Sequence, residues 1–228
     1  LTPIGLESLA VTDEQNLSNP TAKAGISVAI IILAAGRSSR MSPDAGHKLL
    51  STFDGVPLVR RVALQAIQSN ASRVHAVAGF RHKEIETCLV DLDMTVTFNQ
   101  AYASGISSSL IAGLNIAGVM DHDGVMILLA DMPAITAGNL NDLIEAFKIS
   151  EGRSIVRAAY AETSGNPVIL PKSLYTRALT LQGDRGARAL IEASDLDIVE
   201  VDIGEAAIVD VDTQDDLQRL GGVPGSSS

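Results

Sequence analysis

Eight short apolar, β-branched runs alternate along the chain with stretches whose apolar residues recur at helical spacing. The runs Val28–Leu33, Arg73–Ala78, Met94–Phe98, Val125–Ala130, Ser154–Ala159, Pro167–Leu170, Ile198–Val201 and Ala207–Val211 predict strands. Between them, Pro57–Ser69, Lys83–Asp91, Ile106–Val119, Ala137–Ser150, Lys172–Leu181, Ala187–Ala193 and Thr213–Leu220 predict helices. Pro57 suits a first helical turn, and Thr213-Gln-Asp-Asp offers a hydroxyl cap followed by acidic residues. Strands alternating with helices predict parallel βαβ units and a doubly wound sheet. A run as apolar as Val125-Met-Ile-Leu-Leu-Ala fits a sheet covered on both faces. In such sheets ligands bind beyond the carboxyl ends of strands, so chemistry is sought there.

The flanks differ from this pattern. Residues 1–25 are polar and without period, and predict a flexible N-terminal arm or linker. Residues 26–222 form the expected domain, and 223–228 a disordered tail. The chain starts at Leu1, as expected of a piece excised from a longer polypeptide. The apolar run from Ile26 to Ala35 lies behind the polar leader and is followed at once by Arg37 and Arg40, against a signal peptide. It is also too short to span a bilayer.

Composition narrows the picture. The 228 residues are 46% hydrophobic but only 3% aromatic, with no Trp, so the core must be aliphatic. A net charge of −10 argues against a nucleic-acid partner, yet leaves room for a nucleotide held by a local cationic loop. Cys88 is the single cysteine, so no intrachain disulfide can form, which fits a cytoplasmic protein. The four His do not cluster in the sequence and no zinc-type spacing is present.

The richest stretch is Ile30-Ile-Ile-Leu-Ala-Ala-Gly-Arg-Ser-Ser-Arg-Met41. A buried strand stops there and a tight turn of exposed amides begins, with Arg40 and Lys48 following. Arg can fork onto phosphate oxygens and Lys can set a point charge on them. The pattern is neither a dinucleotide fingerprint nor a P-loop. A carboxylate, Asp131, follows the most apolar strand, where it could hold Mg²⁺, a hard cation bound by a few carboxylates and substrate phosphates. The expected strand ending in Asp210-Val-Asp212 places those two carboxylates on one side. Asp131 and Asp212 could then share one metal, unless Asp212 caps the last helix. The choice between Asp210 and Asp212 stays open. Gly105-Ile-Ser-Ser-Ser109 after Asn99, Gly165-Asn-Pro-Val168 and Gly183-Asp-Arg-Gly-Ala-Arg188 are further groups able to meet anions or base edges.

In order along the chain, Leu33–Met41, Lys48-Leu-Leu, Asn99, Gly105-x-x-Ser-Ser-Leu, Leu129-x-Asp-Met-Pro, Gly165-Asn-Pro-Val, Gly183-Asp-x-Gly-Ala-Arg and Asp210-x-Asp-Thr resemble the MobA-like nucleotidyltransferases, and within them the molybdenum cofactor cytidylyltransferases. The resemblance implies a Rossmann-like three-layer α/β/α sandwich with a mostly parallel sheet, of the nucleotide-diphospho-sugar-transferase type. It implies transfer of CMP from CTP to molybdopterin or its molybdenum-loaded form, with Mg²⁺ as cofactor. The Ala34-Ala35-Gly36 spelling points by that resemblance to cytosine. Leu33, Ala34, Ala35, Gly36, Arg40, Lys48, Gly79, Asn99, Ser108 and Ser109 would then bind nucleotide. Arg40, Lys48 and Asp131 would be catalytic, Asp131 and Asp212 would hold the metal, and Asn166, Asp184, Arg185 and Arg188 would face the acceptor. A molybdoenzyme or a fused molybdopterin-binding domain is the implied partner; no membrane is. Another nucleotide such as GTP, another phosphorylated acceptor, or a non-catalytic delivery protein are the competing readings. The chain departs from the pattern at Ser42, usually Gly, at Gln214, usually Pro, and in the longer Pro43–His47 path to Lys48. That path predicts either a bulged loop or a displaced Lys48.

Overall fold

The computed structural model describes residues 25–38, 41 and 46–225. Of the expected leader only residue 25, and of the expected tail only residues 223–225, are described, with Val223 paired to Thr52; the rest of both, and Arg40, lie outside these residues. In chain order the elements are β1 (Val28–Ala34), β2 (Thr52–Phe53), β3 (Val56–Pro57), α1 (Leu58–Gln68), β4 (Arg73–Ala78), α2 (His82–Leu89), β5 (Thr95–Phe98), α3 (Ile106–Leu114), β6 (Gly124–Leu129), α4 (Ala137–Ile149), β7 (Ile155–Tyr160), β8 (Thr163–Pro171), α5 (Tyr175–Ala178), α6 (Ala187–Glu192), β9 (Ile198–Asp202) and α7 (Gln214–Arg219).

Seven strands form one sheet in the order β5-β4-β1-β6-β8-β7-β9, and β2 with β3 makes a small hairpin. β5, β4, β1 and β6 run parallel, as do β7 and β9; β8 is antiparallel to both of its neighbours. The chain winds outward from β1 through β4 to β5, then returns to place β6 on the other side of β1. The carboxyl ends of β1 and β6 therefore lie side by side at the point where strand order reverses, the natural crevice of such a sheet.

Alternation along the strands explains the layers. Ile30 and Ile32 of β1, with Met126 and Leu128 of β6, enter one core with α1, α2, α4 and α7. Ile31, Val125 and Ile127 enter the other with α3, α5 and α6. Gly113 of α3 lets that helix press onto the sheet, since a Cβ there would overlap Ile31. This is the expected three-layer sandwich, with an aliphatic core on each face.

Three elements differ from expectation. Ala207–Val211 is not a strand: Ile203 donates to the Ala159 carbonyl at the end of β9, the chain turns at Gly204 with φ +70°, and Gly204–Ala207 forms a 3-10 turn. That turn packs across β8, where Gly165 meets the Ala207 carbonyl so closely that no Cβ would fit. The apolar Ala-Ala-Ile-Val run is spent on this crossing. The helix expected over Ile106–Val119 ends at Leu114, because the chain reaches Gly118 at φ +85°. Lys172–Leu181 holds only a 3-10 turn and the single turn α5.

Candidate nucleotide and metal site

The sheet delivers Leu33, Ala35 and Gly36 from the end of β1, and Leu129 and Asp131 from the end of β6, to the wall of one cleft of about 680 Å³. Lys48, Tyr102, Gly105, Ser109, Asp184, Asp210 and Asp212 also line it. Val211 brings the last pair in: it is fully buried, and its N–H donates to the Asp131 carbonyl at 2.9 Å. The two carboxylates flanking it are thus pinned beside Asp131 by an anchored loop, where strand alternation had been expected to align them. Thr213 caps α7 through a reciprocal capping box with Asp216, so Asp212 is not the cap.

Asp131, Asp210 and Asp212 each offer a carboxylate oxygen within 4.8 Å of the others. Lys48 Nζ donates to Asp131 Oδ2 at 2.6 Å and to Asp212 Oδ1 at 3.1 Å. Burial alone would push the Lys48 ammonium down, but the two carboxylates in contact outweigh it and hold its pKa above the usual value. Asp210 is pushed up, first by burial and then by repulsion from Asp131 and Asp212. Lys48 bonds two of the three carboxylates, and among the described residues the buried Asp131 Oδ1 has no hydrogen-bond partner. An all-oxygen donor set with an unmatched buried acceptor fits a hard divalent cation.

The other expected residues are distributed unequally. Ala34 is fully buried in the core, one position behind the wall. Gly79 lies beneath the turn, where a Cβ would overlap the Ala35 carbonyl and Tyr102. Asn99 is buried and spends its amide on Ser108 at 2.9 Å and Ser109 at 3.1 Å, while its carbonyl oxygen accepts from Ala101 N–H at 2.9 Å. It therefore fixes the start of α3, and of these three residues only Ser109 reaches the cleft. Gly105, at φ +108°, lets α3 begin against the Gly183 carbonyl, which accepts from Ser107 N–H at 3.2 Å. The Ser-rich and Gly183 groups, far apart in sequence, thereby meet.

A second cavity of about 510 Å³ adjoins the first, sharing Leu33, Ile106, Leu129 and Asp184 with it. Its floor is aliphatic, and Asn166, Asp184, Arg188 and Arg157 stand on its wall. Arg185 does not reach this cavity; it lines a separate depression beside Arg177. Arg157 was missed, although a charge inside the apolar Ile-Val-Arg-Ala-Ala run was its signal. It pairs with Glu200, which also accepts from Ser164 at 2.8 Å. Arg37 and Tyr102 were missed too: the Arg37 guanidinium lies 5.5 Å from the Tyr102 ring centroid, a cation–π contact at the cleft mouth. Among the described residues no helix is long and apolar enough to cross a membrane.

Comparison with known proteins agrees with this arrangement. Residues 30–199 match the MobA-like NTP transferase domain model. Bifunctional protein GlmU of Legionella pneumophila (strain Corby) is 34% identical over 116 residues, covering 51% of this chain and 24% of GlmU. The match thus spans about a quarter of the length of that relative. Purine catabolism protein PucB of Bacillus subtilis is 26% identical over 208 residues, covering 83% of this chain and 94% of PucB. Among solved structures, a nucleotidyl transferase of Methanothermobacter superposes with TM-score 0.71 at 23% identity, covering 86% and 97% of the two chains. Rv0371c of Mycobacterium tuberculosis, solved with manganese, gives 0.70 at 19% identity over 86% and 98%. Molybdopterin-guanine dinucleotide biosynthesis protein A of Archaeoglobus fulgidus gives 0.61 at 18% over 85% and 96%. With its sheet order, its carboxylate cluster beyond β6 and a family match over most of its length, this chain belongs to the MobA-like NTP transferase domain family.

Proposed function

We propose that the protein is a nucleotidyltransferase that moves CMP from CTP onto molybdopterin, or its molybdenum-loaded form, and releases pyrophosphate. The carrying observation is the convergence of Lys48 with Asp131, Asp210 and Asp212 in a cleft that opens directly onto a second, aliphatic-floored cavity. One cavity would take the triphosphate and the other the acceptor.

The charge balance follows. An acceptor phosphate oxygen attacks the α-phosphorus in line, the bond to the β-phosphate bridging oxygen breaks, and pyrophosphate leaves with that electron pair. No side-chain nucleophile is required; positioning and neutralisation suffice. Lys48, kept charged by its carboxylate neighbours, would offset phosphate charge, and Arg40 is assigned the same task. Asp131, Asp210 and Asp212 would hold Mg²⁺, which when bound supplies a Lewis acid for phosphate oxygens. Leu33, Ala35, Gly36 and Ser109 would line the nucleotide, with Ala34, Gly79, Asn99 and Ser108 shaping that wall from behind. Asn166, Asp184 and Arg188 would face the acceptor. The assignment of cytosine rests on the Ala34-Ala35-Gly36 spelling; the molybdopterin acceptor is favoured by the motif order and by the name of the Archaeoglobus protein of like fold.

The test is pyrophosphate release with molybdopterin, Mg²⁺ and each NTP in turn. Release with CTP alone is expected. Release with GTP alone would overturn the base assignment. Molybdopterin binding without release from any NTP would replace the enzyme with a delivery protein.

A further inference from the structure

The Gly36 turn and the Lys48–carboxylate cluster are separate parts of the cleft wall, yet one residue ties them together. His47 precedes Lys48 directly, and its Nε2 lies 3.0 Å from the Gly36 carbonyl oxygen. The residue is 2% exposed, and among the described residues its buried Nδ1 has no partner. A carbonyl can only accept, so Nε2 must carry the proton and donate. The ring packs on Phe80 at 5.6 Å between centroids, and Phe80 on Tyr102 at 6.5 Å. Phe80 N–H in turn donates to the Ala35 carbonyl at 3.2 Å. The Ala35 and Gly36 carbonyls of the turn are therefore bound to donors of the surrounding protein. A phosphate meeting a turn is attracted by N–H groups and repelled by carbonyl oxygens. Tying off these two carbonyls shifts the balance of the turn toward its favourable pole.

Resting on the nucleotide reading above, we infer that His47 is a positioning residue of this site: its Nε2–H holds the Gly36 carbonyl away from the phosphates and locks the turn to Lys48. The ring is wedged between Gly36 and Phe80 while the next side chain bonds Asp131, so residues 47 and 48 clamp the two halves of the cleft at a fixed separation. Nothing in the role requires His47 to touch the substrate.

Two measurements test this. The first is independent of any nucleotide: long-range ¹H–¹⁵N NMR should show His47 as the neutral Nε2–H tautomer, and an Nδ1–H tautomer overturns the inference. The second compares binding of CTP with Mn²⁺ to wild type, His47→Gln, His47→Asn and His47→Leu. Gln places an amide N–H near the position of Nε2, whereas Asn is too short and Leu keeps only the packing on Phe80. Loss of one such bond corresponds to about a tenfold rise in Kd. We expect that rise for Leu and Asn, rescue by Gln, and melting temperatures that identify all four proteins as folded. Equal binding by Leu and wild type, or failure of Gln to rescue where Leu is weakened, overturns the role of His47. If wild type shows the Nε2–H tautomer but binds no NTP, the nucleotide reading falls and the positioning role falls with it, while the tie to Gly36 stands.

Discussion

Replacing Lys48 by Met would remove the ammonium that Asp131 and Asp212 share beside Asp210. Lys48 and Asp131 are only 12% and 16% exposed, while Asp212 is 36% exposed. Breaking a buried pair by removing one partner costs about 3–5 kcal/mol, and exposed pairs contribute about 0–1 kcal/mol. The Lys48–Asp131 contact is close to the first case and the Lys48–Asp212 contact to the second. Asp210, already pushed up by burial and by its carboxylate neighbours, takes up a proton more readily and relieves part of the repulsion. A net loss of about 3 kcal/mol is therefore expected, which for a domain of this size lowers Tm by roughly 6–12 °C. A divalent cation should repair the damage, because it binds the folded cluster and not the unfolded chain. At a hundred times its Kd it restores about 2.7 kcal/mol. Thermal melts of wild type and Lys48→Met in EDTA, Mg²⁺ and Mn²⁺ read both effects. A variant that melts within about 2 °C of wild type in EDTA would refute the ion-pair reasoning. A cation that raises the Tm of neither protein would refute the cluster as a metal site.

Other perturbations address other parts of the molecule. Asp131→Asn should lower pyrophosphate release by roughly 100-fold or more, since it removes a carboxylate charge from the cluster proposed to hold the metal; unchanged turnover removes Asp131 from the chemistry. Gly105→Ala, at φ +108°, forces a Cβ into the Gly183 carbonyl and against Asp184, which lines both cavities, and should cost about 1–3 kcal/mol in urea melts. Thr213→Ala removes the reciprocal cap of α7 and should cost about 1 kcal/mol by the same assay. Burial pushes both His47 and His75 below the usual histidine range, so each stays neutral in the fold while the unfolded chain binds a proton below about pH 6.5. Stability should be full above that pH and fall as pH drops toward 5; His47→Gln with His75→Gln should flatten the fall in urea melts at pH 7.5 and 5.5.

The layers were legible because their causes are local. β1 and β6 are apolar at every position, and only a sheet covered on both faces uses such strands, so β1, β4, β5 and β6 emerge with little displacement. Asp131 was legible for the same reason: a carboxylate directly after the most apolar strand has few other places to be. The failures are long-range. Ala207–Val211 has strand composition, but its fate is decided by Gly165, some forty residues earlier, which opens a place on β8 for the Ala207 carbonyl. Arg185 and Arg188 look equivalent in sequence, and only the placement of α6 sends one to the second cavity and the other to a different face. Asn99 is expected among the nucleotide-binding residues, yet Ser108, Ser109 and Ala101 use both ends of its amide. Periodicity reports which face a residue takes and says nothing of what meets it there.

The long path between the Gly36 turn and Lys48 shows which constraints hold the site. Sequence spacing alone leaves Lys48 either displaced or reached through a bulge. The structure puts its ammonium on Asp131, because what fixes Lys48 comes after it. Leu49 is 3% exposed in the core and Phe53 5%. Leu50 and Ser51 N–H groups close a 3-10 turn onto the His47 and Lys48 carbonyls, and Leu58 N–H at the start of α1 donates to the Ser51 carbonyl at 2.8 Å. Lys48 is thus built outward from α1, through a buried turn, and not inward from β1. Lengthening the loop on its other side adds only a slowly growing closure entropy, about 0.6 kcal/mol for each doubling. Lys48 can therefore keep its place while the preceding loop changes length, provided the chain re-enters at a residue that can reach the Gly36 carbonyl. In this protein that residue is His47.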